Sequence, residues 1–322
     1  MRISVVVPCF NAAPWVAQAL QSVAAQTRAP CEIIVVDDGS TDDSVERIGN
    51  SGVSVRLLHT ERANGAGARN AGIKAATGEW IAFQDADDVW NPNHLERAQT
   101  LLRDTQDIGY LCHSDALIPS GAAVALPHFG RFHLPATGLS SQEYGVWFAE
   151  AGYFIMPASI VRRDVLLEIG GLDPAQIRRH DIDLWLRALP GHTWSYDPVS
   201  SLAFRSQRPG SLTRDIASCE YFLLRALLKN QKNYPGMEMT KRIRTAARLA
   251  VTLAFMDSPA AERKTTLNLA WPHLATREKM VFGCFKGCPA IFRGLNRLRR
   301  RLLGIPSHQT LDPLHGAKIK GT

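Results

Sequence analysis

The chain has no uncharged apolar run long enough to cross a bilayer. Its opening run Ile3-Ser4-Val5-Val6-Val7 is too short for a secretory leader and is soon interrupted by Pro8 and Asn11. It also lacks a disulfide framework. Six cysteines (Cys9, Cys31, Cys112, Cys219, Cys284 and Cys288) are scattered over 322 residues, and Cys284 and Cys288 have no second pair to complete a structural zinc site. Small apolar cysteines in a reducing compartment are therefore expected, and with them a cytoplasmic protein. Neither a G-x-G-x-x-G fingerprint nor a P-loop is present. A composition 45% hydrophobic and 21% charged excludes disorder, collagen and coiled coil.

What is present centres on one stretch. Trp80-Ile81-Ala82-Phe83 reads as a short buried strand, and soon after it three carboxylates fall within four positions: Asp85, Asp87 and Asp88. Like charges that close repel unless a cation sits among them. Mg²⁺ or Mn²⁺, held by one or two carboxylates and completed by substrate phosphates, would satisfy them. The alternative is a solvated acidic turn that caps the next helix.

Around this stretch the pattern alternates strand and helix. Residues 3–7 form a continuous β-branched run, as in a buried parallel strand. Pro14 suits a first helical turn, and Val16, Leu20 and Val23 share a face. Residues 32–36 form the second strand, which exits into Asp37-Asp38-Gly39-Ser40-Thr41-Asp42. Either these acids receive ribose or base donors of a nucleotide, or they serve turn and cap chemistry, with Ser40 or Thr41 as the cap. A third strand is expected over 53–58. Gly65-Ala66-Gly67-Ala68-Arg69-Asn70-Ala71-Gly72 then leads into an Ala-rich helix, with Arg69 suited to a diphosphate. Further elements are a helix from Pro92 to Leu101, strands over 109–113 and 153–156, and a short helix over 162–169. A helix over 179–187 and a last strand over 199–204 complete the set. Asp181, at a helix start, reads either as a cap or as a base that activates a hydroxyl.

Beyond residue 215 the period is helical, with Tyr221, Leu224, Leu227 and Leu228 on one face. The net charge of +7 concentrates near the C-terminus, where residues 277–303 interleave apolar and basic side chains. Such a segment suits an anionic membrane surface, or else packs as a solvated helix. No nucleic-acid-binding module accompanies the charge, so no nucleic-acid partner is expected.

Taken in order, these pieces resemble the inverting family 2 glycosyltransferases of the GT-A fold. The matching residues are Val5-Val6-Val7-Pro8-Cys9-Phe10-Asn11, Val36-Asp37-Asp38-Gly39-Ser40-Thr41-Asp42 and Arg69-Asn70-Ala71-Gly72. Gly78-Glu79-Trp80-Ile81-Ala82-Phe83, Asp85-Ala86-Asp87-Asp88, Asp181-Ile182-Asp183-Leu184-Trp185-Leu186-Arg187 and Pro209-Gly210-Ser211-Leu212-Thr213 continue the series. The resemblance implies an α/β fold with a mostly parallel central sheet over residues 1–214 and a helical, basic extension over 215–322. It implies transfer of a sugar from a nucleotide-diphosphate donor, at the family level a UDP-sugar, to a saccharide or lipid-linked acceptor in cell-surface polysaccharide or glycolipid assembly. Asp38 would bind the base or ribose, with Pro8 and Phe10 lining that pocket and Arg69 near the nucleotide. Asp85 and Asp87 would be the D-x-D pair, Asp85 toward the donor and Asp87 the more direct ligand of Mn²⁺ or Mg²⁺. Asp181 would be the base.

Two departures stand out. The residue before the base is His180 where the family usually has Glu. Ser206 and Arg208 stand where it often has Arg and a metal-holding His; Arg208 cannot ligate a metal but can contact the diphosphate, so weaker metal binding is expected. The competing reading from another class is a non-catalytic nucleotide-sugar-binding or scaffold protein.

Overall fold

The computed structural model describes residues 1–117, 123–125, 136–140, 155–205 and 215–285. The chain divides into two compact units, Met1–Arg208 and Pro209–Thr322.

The first unit is built on strands β1 (Ile3–Cys9), β2 (Glu32–Asp37), β3 (Arg56–His59), β4 (Trp80–Phe83), β5 (Val89–Trp90), β6 (Gly109–Leu117), β7 (Ala123–Ala125), β8 (Leu139–Ser140), β9 (Ser159–Arg162) and β10 (Thr193–Arg205). Their order is β3-β2-β1-β4-β9-β6-β10-β5, with β7 on β6 and β8 on β10. The β3-β2-β1-β4 portion is parallel. Beyond it the sheet is mixed, because β9 pairs antiparallel with both β4 and β6 while β6 and β10 are parallel. The helices are α1 (Val16–Ala24), α2 (Ser44–Gly49), α3 (Asn64–Ala75), α4 (His94–Leu102), α5 (Arg163–Glu168) and α6 (His180–Ala188).

β1 carries the continuous apolar run because it is central, with β2 on one side and β4 on the other. Val5, Val6 and Val7 are fully buried. α1 buries Val16, Ala19, Leu20 and Val23, each of the larger three contributing about 1.5–3 kcal/mol. Pro14 lies in the turn before α1 rather than in its first turn. The third strand starts at Arg56, later than the alternation suggested, and the glycine-rich stretch after it lies inside α3 rather than ahead of it. α3 starts with Asn64 in the left-handed region (φ 59°), whose Oδ1 accepts from the Ala66 and Gly67 amides. Neither Ser40 nor Thr41 caps α2; Asp42 Oδ1 accepts from the Ser44 amide, while Ser40 and Thr41 bind Asn11. Of the strand expected over 153–156, residues 153 and 154 lie outside the described set and Met156 opens a 3-10 turn over Met156–Ala158; β9, which follows that turn, was not expected. The last strand runs from Thr193, longer than expected, with register shifts between Asp197 and Leu202.

Beneath β6 and β10 lies a buried polar cluster. Arg97 donates to both oxygens of Asp197 at 2.6 and 2.7 Å, and the Tyr110 hydroxyl donates to the same carboxylate. Beside it the buried His94 Nδ1 meets Ser201 Oγ at 2.7 Å. Burial pushes the His94 pKa down to about 3, with the Asp197 charge opposing.

The second unit contains α7 (Ile216–Asn230), α8 (Met237–Asp257), α9 (Ala260–Ala270) and α10 (Thr276–Phe285). Asp215 Oδ1 caps α7 by accepting from the Ser218 amide. The buried face of α7 is Cys219, Leu223, Leu224, Ala226 and Leu227; Tyr221 and Leu228, placed on that face by the helical period, are only partly buried. No helix among the described residues is long and apolar enough to cross a membrane. The basic stretch beyond Phe285 lies outside the described residues. Of the cysteines described, Cys9, Cys112 and Cys219 are buried as expected, but Cys31 is exposed.

Candidate active site

The sequence motifs meet at the carboxyl ends of β1, β2 and β4, where ligands of open α/β sheets bind. Asp38 comes directly after β2 and is buried. Its Oδ1 accepts from Thr60 Oγ1 at 2.7 Å and from the Ala63 amide at 2.6 Å, which ties the end of β2 to the start of α3. Asp37 beside it takes the turn role through Oδ2, which accepts from the Ser40 amide at 3.3 Å and lies 3.6 Å from His59 Nδ1. Its Oδ1 is buried with no hydrogen-bond partner. Gly39, with φ 73°, makes the turn that lets the chain double back here. Pro8 is half-buried near the end of β1, whereas Phe10 is 41% exposed. The Arg62 guanidinium carbon sits 4.6 Å above the Phe10 ring. Arg62 carries no signature in the sequence; its left-handed φ of 56°, uncommon for a residue with a Cβ, marks it only in the structure.

The Arg69-Asn70-Ala71-Gly72 motif is held by contacts specific to its members. Gly72 sits against β1, where any Cβ would overlap Val6. Asn70 mimics a backbone pair: its Nδ2 donates to the Leu172 carbonyl and its Oδ1 accepts from the Leu172 amide, both at 2.8 Å. Gly171, at φ 70°, leaves the space Asn70 needs. The helix so fixed delivers Arg69, only 5% exposed, to the acidic turn. Its Nη1 donates to the Gly65 carbonyl at 3.0 Å and to His180 Nε2 at 3.1 Å, and its Nη2 pairs with Asp85 Oδ1.

Asp85, Asp87 and Asp88 occupy the turn after β4. They do not cap the next helix: α4 starts after Asn93 with no side-chain cap. The turn is anchored from β10 instead. The Arg205 amide donates to Asp88 Oδ1 at 2.8 Å and its Nε to the Asp87 carbonyl at 3.1 Å. Gln84 Nε2 donates to the Asp88 carbonyl at 2.7 Å. Asp88 is thus a structural acid of the turn, buried and tied down, while Asp85 and Asp87 keep more exposed carboxylates. Sequence reasoning missed Arg205, since a lone arginine at a strand end carries no pattern.

Asp181 is in the first turn of α6, where Arg179 precedes it at φ 53°. Its Oδ1 accepts from the adjacent Ile182 amide at 2.8 Å. It also serves the helix start, because the Ile182 amide it meets belongs to the first turn of α6. Burial raises its pKa, and the Asp85 charge adds to that, against the opposing Arg179 and Arg69 charges and the Ile182 hydrogen bond. Asp183, two residues further along α6, is fully buried and paired with Arg187 at 2.9 Å. The His180 imidazole is held neutral, its pKa lowered to about 3 by burial and by Arg69. The structure therefore brings Arg69, Asp85, His180 and Asp181 into one charge cluster. Ser206, Arg208 and the Pro209–Thr213 motif lie outside the described residues.

Among the described residues no group of three or more His, Cys, Asp or Glu side chains could cage a metal ion. Two carboxylates on one turn suit instead a hard divalent ion that takes its remaining ligands from phosphate and water.

The comparisons with known proteins agree with this geometry. The glycosyl transferase family 2 model matches residues 4–170, and the chain belongs to that family. It is 31% identical over 200 residues to the amylovoran biosynthesis glycosyltransferase AmsB of Erwinia amylovora, covering 58% of this chain and 64% of that protein. It is 41% identical over 96 residues to WfgD of Escherichia coli, a UDP-Glc:alpha-D-GlcNAc-diphosphoundecaprenol beta-1,3-glucosyltransferase, covering 29% and 38%. Matches to uncharacterised glycosyltransferases of Nostoc and E. coli span only 38% and 34% of those proteins. The fold is that of S. aureus TarS residues 1–349, solved with UDP-GlcNAc, with a TM-score of 0.63 at 17% identity over 94% of this chain and 92% of TarS. A mannosyltransferase of Pyrobaculum calidifontis, solved with GDP-Man and Mn²⁺, aligns with a TM-score of 0.55 at 18% identity over 94% and 85%.

Proposed function

We propose that this chain is an inverting glycosyltransferase that moves a sugar from a UDP-sugar to a saccharide or lipid-linked acceptor in cell-envelope polysaccharide or glycolipid assembly. The observation that carries the reading is the single cluster of Arg69, Asp85 and Asp181, which joins a fixed cation, an acid of the D-x-D turn and a carboxylate of raised basicity. The relatives named for polysaccharide and diphosphoundecaprenol-linked sugar transfer support the substrate class. The TarS complex with UDP-GlcNAc supports UDP.

In this reading Asp38 takes donor groups of the base or ribose, with Phe10 and Pro8 forming the pocket wall. Arg69 faces the diphosphate, and Arg208 supplements it. Asp85 and Asp87 hold Mn²⁺ or Mg²⁺, as the mannosyltransferase complex suggests; bound there, the ion would neutralise charge growing on the leaving phosphate. Asp181 takes the proton of the acceptor hydroxyl as its oxygen attacks the anomeric carbon from the face opposite the diphosphate. The glycosidic C–O bond forms, the bond to the phosphate oxygen breaks, and the nucleoside diphosphate leaves with the electron pair. Because a single displacement inverts the anomeric centre, one base suffices. The basic stretch over 277–303 would hold the enzyme at the anionic cytoplasmic face of a membrane, near a lipid-linked acceptor.

Thermal melting with UDP, GDP, dTDP and CMP, with and without Mn²⁺, tests the donor class, since a ligand of the folded state raises Tm by mass action. The expected result is a Mn²⁺-dependent rise with UDP that is reduced in Asp87→Asn. No rise with any nucleotide would favour the scaffold alternative.

A further inference from the structure

His180 is the departure from the family pattern that the structure describes in full, and its contacts define its protonation. A guanidinium N–H can only donate. His180 Nε2, 3.1 Å from Arg69 Nη1, must therefore be the acceptor, and the ring is neutral with its proton on Nδ1. That Nδ1–H is buried and has no acceptor. Buried polar groups left unpaired are rare and concentrate where a site puts function ahead of stability. The surroundings reinforce the assignment. Gly65 lies against both side chains, so that a Cβ there would stand 3.0 Å from Arg69 Nη1 and 3.8 Å from His180 Cε1. Arg69 Nε is also buried without a partner. Among the described residues the one carboxylate paired with Arg69 is Asp85.

We propose that His180 is a positioning residue that holds Arg69 through a neutral acceptor, so that the guanidinium charge stays available to the donor diphosphate and nucleotide binding depends less on the divalent ion. The inference rests on the transferase reading given above. An acidic side chain at this position would hold Arg69 equally well, but it would be a second permanent counter-ion. The electrostatics then move in opposite directions for ligands of opposite sign. An added negative charge beside Arg69 weakens binding of a free diphosphate and strengthens binding of a cation. A neutral acceptor gives up some affinity for the ion and retains the pull on the anion.

The test is isothermal titration of the full chain with UDP in EDTA, with Mn²⁺ alone, and with UDP in saturating Mn²⁺. Wild type is compared with His180→Gln, His180→Glu and His180→Leu, and the melting temperature of each is recorded. Gln and Glu are isosteric and both accept from Arg69, so their difference isolates charge even where Leu lowers stability. In EDTA, His180→Glu is expected to bind UDP about tenfold more weakly than His180→Gln. Its affinity for Mn²⁺ alone is expected to rise by a similar factor. His180→Leu, which removes one of the holds on Arg69 and leaves the Gly65 carbonyl and Asp85, loses UDP affinity in both conditions, and Gln restores it to within about threefold of wild type. A merely structural contact would not move the two ligands in opposite senses. Equal UDP and Mn²⁺ affinities in the Gln and Glu variants would overturn the proposal while leaving the transferase reading intact. Failure of wild type to bind UDP in any condition would overturn both.

Discussion

Asp181→Asn is the substitution that separates the chemistry of this site from its architecture. Asn has the volume of Asp and keeps an oxygen to accept from the Ile182 amide, so the 2.8 Å contact survives. What is lost is the charge and the basicity. A positioned general base contributes about 100- to 10,000-fold, or roughly 2.7–5.5 kcal/mol of barrier at 1.36 kcal/mol per decade. Turnover, measured as nucleoside diphosphate released from UDP-sugars in the presence of saccharide and lipid-linked acceptors, should fall within that range. UDP affinity should change little. Stability should move the other way. Burial raises the Asp181 pKa above its unfolded value, so the ionised carboxylate costs the folded state free energy above the folded pKa. That cost disappears as pH falls below the unfolded value. The Asn variant should thus melt higher than wild type at neutral pH, with the gap closing in acid. Turnover retained within about threefold, or a lower melting temperature at neutral pH, would refute the reasoning.

Asp38→Asn keeps the side-chain shape but weakens acceptance from Thr60 and Ala63, and UDP binding measured by titration should fall by about tenfold or more. Arg97→Leu strands the 2%-exposed carboxylate of Asp197 and should cost about 3 kcal/mol in urea unfolding at neutral pH, whereas turnover per folded molecule stays unchanged. His94, with a folded pKa of about 3 against an ordinary 6.5, stays neutral in the folded protein while the unfolded chain gains a proton. Stability should therefore fall by about 2 kcal/mol between pH 7 and pH 5 on its account, and His94→Asn should flatten that slope.

The parts of this molecule that were legible in the sequence are those whose physics is local. A central parallel strand must be apolar on both faces, so residues 3–7 and 32–36 announced themselves. The acids Asp38, Asp85, Asp87 and Asp181 stood out as charge placed at element ends. The features that stayed hidden depend on distant partners or on a single side chain. Asn64 starts α3 through its own side chain, so the glycines after it read as loop when they are helix. Gly72 and Asn70 make sense only once Val6 and Leu172 lie beside them. β9 went unread because what makes it a strand is β4 and β6 on either side, and its own four residues carry no pattern that sets them apart. Arg62 and Arg205 had no motif at all; their meaning is a ring and a turn far away in the chain.

The anchoring of the acidic turn by Arg205 has a consequence for the order in which the protein comes into being. The parallel portion from β1 to β4 joins strands through short crossovers, so it can take shape while the ribosome is still adding the rest of the chain. The turn carrying Asp85 and Asp87 emerges early too, yet its second support arrives more than a hundred residues later, when Arg205 reaches Asp88 and β10 lays itself along β5 and β6. Until then the nascent chain has its Asp38 turn in place and an unfinished acidic turn. A chain stopped at residue 170, where the match to the family model ends, would keep every carboxylate of the turn and lack the strand that holds them, leaving β6 with an open edge ready to pair with a neighbour.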